Sequence, residues 1–187
     1  MESALYNNHG PEVVAALKLM PLVFVRKSEL RIARWKDIDL EAAKWTYFIT
    51  KTRTDHHVPL SRQAVEILNE LALITRPIGE PGNALVFPGR NEGCPFSEDM
   101  LNKGLRELGY GNEIMTVHGF RASARTMLAE NLEYPAEIIE HQLAHAVRDS
   151  NGEAYNRTKF LCQRKEMMQA WADYLDKLKA NAGEQVA

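Results

Sequence analysis

Two arginines, a lysine, two histidines and a late tyrosine are spread along this chain in an order that could serve one reaction. Arg26 comes first and Lys51 second. The tight group His118-Gly119-Phe120-Arg121 follows, then His145 in Leu143-Ala144-His145, and ten residues later Tyr155 in Glu153-Ala154-Tyr155-Asn156-Arg157. These residue types suit attack on a phosphodiester without a metal. Such a reaction needs a nucleophile, positive charge on the phosphoryl oxygens and an acid for the leaving 5′ oxygen. Each guanidinium can bond two phosphoryl oxygens in a fixed fork, which makes Arg26 and Arg121 the candidates for that task. Lys51 could protonate the leaving oxygen if a nearby phosphate and local desolvation tune it. His118 lies three residues before Arg121, one helical turn, so both could aim at one phosphate. Histidine titrates near neutrality and can accept the tyrosine proton or donate a hydrogen bond.

Taken singly, each of these residues also has an ordinary reading. Charged side chains mostly stay in solvent, so either arginine could be a surface residue. Lys51 could be an edge-strand lysine that discourages aggregation, His118 a helix-start histidine, and Tyr155, one of six tyrosines, a half-buried packing residue. A polar run from Arg148 to Gly152 precedes Tyr155 and could let it move. His141 and His145 are four apart, the spacing of two metal ligands on one helical face. No His-Glu-x-x-His and no suitable cysteine supplies a third ligand, so neither a metal nor another cofactor is expected. No Gly-x-Ser-x-Gly elbow or glycine-rich phosphate loop is present.

The elements that must position these groups can be read from caps and periodicity. Gly10-Pro11-Glu12 starts a helix in which Val13, Val14, Leu17 and Met20 fall at helical spacing, and Ser28-Glu29 caps a second short one. From Ile38 through Val58 apolar residues alternate with polar ones. This predicts two or three short antiparallel strands with turns near residues 41–43 and 52–55. Lys51 then falls at a hairpin tip able to reach DNA, with Arg53 and His56 on the same hairpin as expected DNA-backbone contacts. Ser61 caps the next helix. Leu85 to Pro88 is a short extended piece, Ser97 to Asp99 opens a helix stopped by Gly109, and helices are expected from about Gly119 to Asn131 and from Pro135. A further short helix is expected in or beside residues 153–155. A last amphipathic helix runs over about residues 164–180. The fold class is therefore mainly α with a small antiparallel β-sheet.

The bulk numbers set bounds. A chain of 187 residues fits one domain, 45% hydrophobic and 26% charged, ordinary for a globular protein. No apolar run approaches the ~20 residues that span a bilayer, and no membrane partner is expected. Two cysteines without a CxxC pair argue for a reduced, cytoplasmic setting. The net charge of −2 gives no basic footprint of the kind DNA-binding domains show. Local charge is more suggestive: Arg26, Lys27, Arg31, Arg34 and Lys36 stand against Glu29 alone between residues 26 and 36.

In order and spacing the six residues resemble the catalytic set of the tyrosine recombinases, the phage and genomic-island integrases. Phe24-Val25-Arg26-Lys27-Ser28-Glu29-Leu30 resembles the first arginine box, and Lys51, seven residues before Val58-Pro59-Leu60-Ser61, the hairpin lysine. His118 to Arg121, Ile139 to His145 and Ala154 to Arg157 are similar to the second box, and Met167 to Leu175 to the ending of such integrases. Lys27-Ser28 and Val23 depart mildly from the pattern. The resemblance implies the DNA breaking-rejoining fold and a catalytic domain over residues 1–187, with residues 1–10 as linker or disordered. On this reading the arm-binding and core-binding domains that full-length relatives carry ahead of it are expected to be absent. It also implies that Tyr155 forms a 3′-phosphotyrosyl bond with a DNA attachment site. Strands are then exchanged without metal or ATP in a tetramer on double-stranded DNA. A type IB topoisomerase-like relaxing enzyme shares this chemistry, and a DNA-binding or assembly module inactive in isolation is the reading from another class.

Overall fold

The computed structural model describes residues 9–50, 53–79, 81–145 and 160–184. Lys51, Tyr155, the polar run before the tyrosine, the short helix expected around residues 153–155 and most of the expected linker over residues 1–10 lie outside them. Helix α1, Pro11–Val23, starts behind Gly10 with Pro11 in its first turn, where the missing N–H would have had no helical partner. Its buried residues are Val13, Val14, Ala16, Leu17, Leu19, Met20, Leu22 and Val23. Apolar residues therefore surround much of the helix, more than the one face read from spacing, and α1 runs through the core. It ends at Phe24, whose φ of 58° is left-handed, a conformation that costs a residue with a Cβ roughly 1–2 kcal/mol.

Helix α2, Lys27–Arg31, is capped two residues earlier than Ser28-Glu29 suggests. Arg26 is its N-cap, because the Glu29 carboxylate reaches back to accept the Arg26 backbone N–H at 2.8 Å. Three strands follow: β1 Ile38–Asp39, β2 Lys44–Ile49 and β3 Thr54–Pro59, antiparallel in the order β1-β2-β3. Trp45 pairs with Ile38 on one side and Val58 on the other. All three are buried, so the inner face of the sheet joins the same apolar cluster as α1, as the alternation predicts.

Helix α3, Arg62–Thr75, begins at Ser61, whose hydroxyl accepts the Ala64 N–H, and packs along α1. Helix α4, Met100–Glu107, ends before Gly109, which takes a φ of 89°. Helices α5, Gly119–Glu130, α6, Ala136–Gln142, and α7, Leu161–Glu184, complete the described chain. Two apolar clusters hold it. The larger joins α1, α3, α4 and the sheet. The smaller gathers Phe24, Ala124, Leu128, Ile138, Ile139, Leu143, Met167, Met168 and Trp171 from α5, α6, α7 and the end of α1. Trp171 ties the two together: its indole donates to the Pro21 carbonyl at 2.8 Å and meets Phe24 edge-on, ring centres 5.8 Å apart. Helix α7 thus packs on its own domain. Among the described residues, no helix is long and apolar enough to cross a membrane. Both cysteines, Cys94 and Cys162, are free and exposed.

Candidate active site

The junction of α1 and α2 meets the facing ends of α5 and α6, and Arg121 fills that meeting point. It lies in the first turn of α5 and is 5% exposed. Its guanidinium donates through Nη1 to the Phe24 carbonyl and through Nη2 to the Leu143 carbonyl, the latter at 2.7 Å. Both acceptors are helix ends. The left-handed turn at Phe24 and the end of α6 leave carbonyls without helical partners, and Arg121 takes one from each. Nη2 also lies 3.4 Å from Nε2 of His145. Burial, then the nearby Arg26 charge, lower the Arg121 pKa from the ordinary guanidinium value.

Arg26 follows Phe24 by two residues. Its side chain, 40% exposed, pairs with Glu29 at 2.9 Å. The same carboxylate accepts the Tyr47 hydroxyl at 2.9 Å, so Glu29 links the arginine to strand β2. Burial and the Glu29 charge push the Tyr47 phenol well above its ordinary pKa. Tyr47 is thus held protonated as a donor, which makes it a poor nucleophile.

His145 stands just past α6. Ala144 takes a left-handed φ of 53°; its N–H bonds to the His141 carbonyl, and the N–H of His145 to that of Glu140. This double-bonded helix ending usually has glycine at the left-handed position. It folds the chain back so that His145 Nδ1 meets Glu140 Oε2. The other oxygen of Glu140 takes Nε of Arg125, one turn beyond Arg121 on α5. Burial raises the Glu140 pKa, but the hydrogen bonds from Arg125 and His145 outweigh it and hold the carboxyl below its ordinary value. The four-residue step from His141 to His145 crosses the helix end instead of following one face. His141 is buried against the Phe160 ring while His145 is exposed. No group of three His, Cys, Asp or Glu among the described residues could hold a metal.

His118 is the exposed N-cap of α5, one turn before Arg121. The loop that delivers it is anchored by α4: Asn102 accepts the Val117 N–H, and Arg106 holds the Met115 carbonyl. Of the six residues, the structure brings Arg26, Arg121 and His145 together, with His118 a turn away. Arg53 is exposed at the hairpin turn with a φ of 52°. His56 is a correction. Expected to contact the DNA backbone, it is only 2% exposed, because it shares the inward face of β3 with Val58. Its Nε2 donates to the Gln142 carbonyl at 3.1 Å. Burial and the Arg164 charge drive its pKa to about 3 against the opposing pull of that bond, so the ring is neutral.

Sequence reading missed the residues that hold the site: Glu29, Tyr47, Glu140, Arg125, Gln142 and Arg164. Arg164, at the start of α7, is fully buried, with Nε on Gln142 Oε1 at 2.9 Å and Nη2 on the His57 carbonyl. It joins α7 to α6 and β3. Only Glu29, three residues after an N-cap, carried a readable signal.

The chain is also similar to known proteins. The model of the phage integrase family matches residues 3–161. The prophage integrase IntZ of Escherichia coli K12 is 40% identical over 182 residues, covering 96% of this chain and 44% of the relative. The integrase of Enterobacteria phage P4 is 39% identical, covering 86% of this chain and 39% of its own length. The chain therefore spans less than half the length of these relatives. Among solved structures, an integrase from mycobacterium phage Brujita superposes with a TM-score of 0.65 at 17% identity, covering 89% of this chain and 54% of that one. A lambda integrase dimer bound to a core site superposes with a TM-score of 0.55 at 19% identity, covering 82% and 59%. Those two likenesses show the shared fold, and the family match over most of the sequence shows that this chain belongs to the phage integrase family.

Proposed function

We propose that the chain is the catalytic domain of a site-specific DNA recombinase, with Tyr155 as nucleophile. The Tyr155 oxygen attacks a DNA phosphate as its proton passes to a base, with His118 the candidate. The new O–P bond replaces the bond to the 5′ oxygen, which takes a proton from Lys51. A 3′-phosphotyrosyl link and a free 5′ hydroxyl result. The 5′ hydroxyl of a partner strand then attacks the link, releases the tyrosine and joins the strands, so neither ATP nor a metal is consumed. Arg26 and Arg121 would carry the phosphoryl oxygens, His145 would hydrogen-bond the same group, and Arg53 would track the DNA backbone beside the hairpin. The working assembly is a tetramer on two double-stranded attachment sites, in the cytoplasm.

The observation that carries this reading is the clamped Arg121, with Arg26 and His145 as its neighbours. Fixed positive charge where negative charge develops is usually the largest catalytic term, and two arginines with a histidine in one place suit a phosphoryl group. The test is covalent trapping on a nicked duplex bearing the element's own attachment site. The parent chain should form a protein–DNA adduct, and Tyr155→Phe should form none while binding the duplex normally. An adduct with Tyr155→Phe would show that the nucleophile lies elsewhere, and no adduct from the parent would count against the reading.

A further inference from the structure

We infer that Glu140 is a positioning residue for His145, fixing which ring nitrogen faces the phosphate; the catalytic half of this inference rests on the proposed function. The cause is the ending of α6. In such an ending, the last-turn residue and the residue just past the left-handed position usually meet through an apolar contact. Here Glu140 and His145 fill those places, and the contact is a carboxylate on imidazole Nδ1. An ionised carboxylate only accepts hydrogen bonds, so Nδ1 must carry a proton. In the neutral ring the lone pair is then on Nε2, the nitrogen 3.4 Å from Arg121 Nη2.

Glu140 is itself held. Arg125 takes its second oxygen and lies on the same helix as Arg121. The series Arg125, Glu140, His145, Arg121 therefore starts and ends on α5, and the ring cannot turn over without breaking it. An exposed Arg–Glu pair contributes little to stability. What Glu140 supplies is orientation: Nε2 points to the same place whether it accepts as the neutral ring or donates as imidazolium.

The test is nitrogen NMR of the parent chain with labelled histidine, at a pH where the ring is neutral and without DNA, with the His145 signal assigned by its loss in His145→Gln. The parent should show His145 with the proton on Nδ1. Glu140→Ala should move it to Nε2, the form a free side chain prefers, whereas Glu140→Gln, which keeps an acceptor, should hold the parent form. In cleavage, Glu140→Ala should slow covalent trapping about tenfold at saturating DNA, a fraction of the ~10²–10⁴ that a proton-transferring group supplies. DNA affinity should be unchanged, and in a His145→Gln background the substitution should cost nothing more. A parent ring protonated on Nε2, an unchanged ring in Glu140→Ala, or an equal loss in both backgrounds would overturn the inference. A ring protonated on Nδ1 in a chain that never cleaves would support the pairing and count against the proposed function instead, so the two failures can be told apart.

Discussion

Arg121 is wedged between two backbone carbonyls with 5% of its surface exposed, whereas Arg26 keeps 40% of its side chain in solvent and, among the described residues, pairs with the Glu29 carboxylate. Both guanidiniums are assigned the same task in the proposed reaction, yet the fold handles them differently. Burying a cation is costly unless its donors are bonded. Arg121 meets that cost with two helix-end carbonyls and His145, and so stands aimed before any DNA arrives. Arg26 is set by local geometry, an N-cap followed three residues later by its acid, and Glu29 competes with any phosphate for it. The two differ in preorganisation: Arg121 is part of the structure, and Arg26 is held ready by it.

The sharpest way to break this contrast is to remove Arg121. Arg121→Ala would leave the Phe24 and Leu143 carbonyls buried and unpaired, and should lower folding stability by about 2–4 kcal/mol in urea unfolding. Where the protein stays folded, it should also slow covalent trapping by two to three powers of ten, the ~3–4 kcal/mol of a lost charge-stabilising donor. A stability loss below about 1 kcal/mol would mean the buried clamp is not structural.

Acid should expose the same floor from below. His56 donates to the Gln142 carbonyl, beside the Leu143 carbonyl that holds Arg121, and its pKa falls to about 3 in the folded protein against ~6.5 unfolded. Between those values the unfolded chain binds a proton that the folded chain refuses, so this contribution is fully present above ~6.5 and is lost as pH falls towards 3. The loss should reach roughly 2 kcal/mol by about pH 5. His56→Gln, which does not titrate, should show a shallower acid slope in unfolding measured across that window. An unchanged slope would show that His56 is not the group responsible.

The difference between the two arginines also explains what could be read from sequence. Arg26 and Arg121 could be named as candidates because their spacing to neighbouring residues is a pattern of residue types. The helix starts at Pro11 and Ser61 and the stop at Gly109 follow local chemistry and come out as read. The partners of Arg121 do not, since Phe24 and Leu143 contribute carbonyls, which every residue has, from 97 and 22 positions away. Helix ends at Phe24 and Ala144 are hidden for a related reason. A left-handed ending is looked for at glycine, and these two hold it against the cost of a Cβ. His56 was within reach: two residues before Val58, it belongs to the same face of β3, and period-two alternation places it inward.

The smallest stability effect should come from Arg26, and it completes the contrast. Arg26→Ala removes one half-exposed ion pair but keeps the backbone N–H that Glu29 accepts, so the cap of α2 survives and unfolding should shift by less than about 1 kcal/mol. Glu29 also keeps its bond from Tyr47, so its carboxylate is not left bare. Covalent trapping should nonetheless fall by at least two powers of ten, because a phosphoryl group would lose one of its two forks. Side by side, Arg121→Ala should lose folding and cleavage together, and Arg26→Ala cleavage almost alone. If Arg26→Ala destabilises the fold as much as Arg121→Ala does, the solvent-facing arginine is structural too, and preorganisation does not distinguish them.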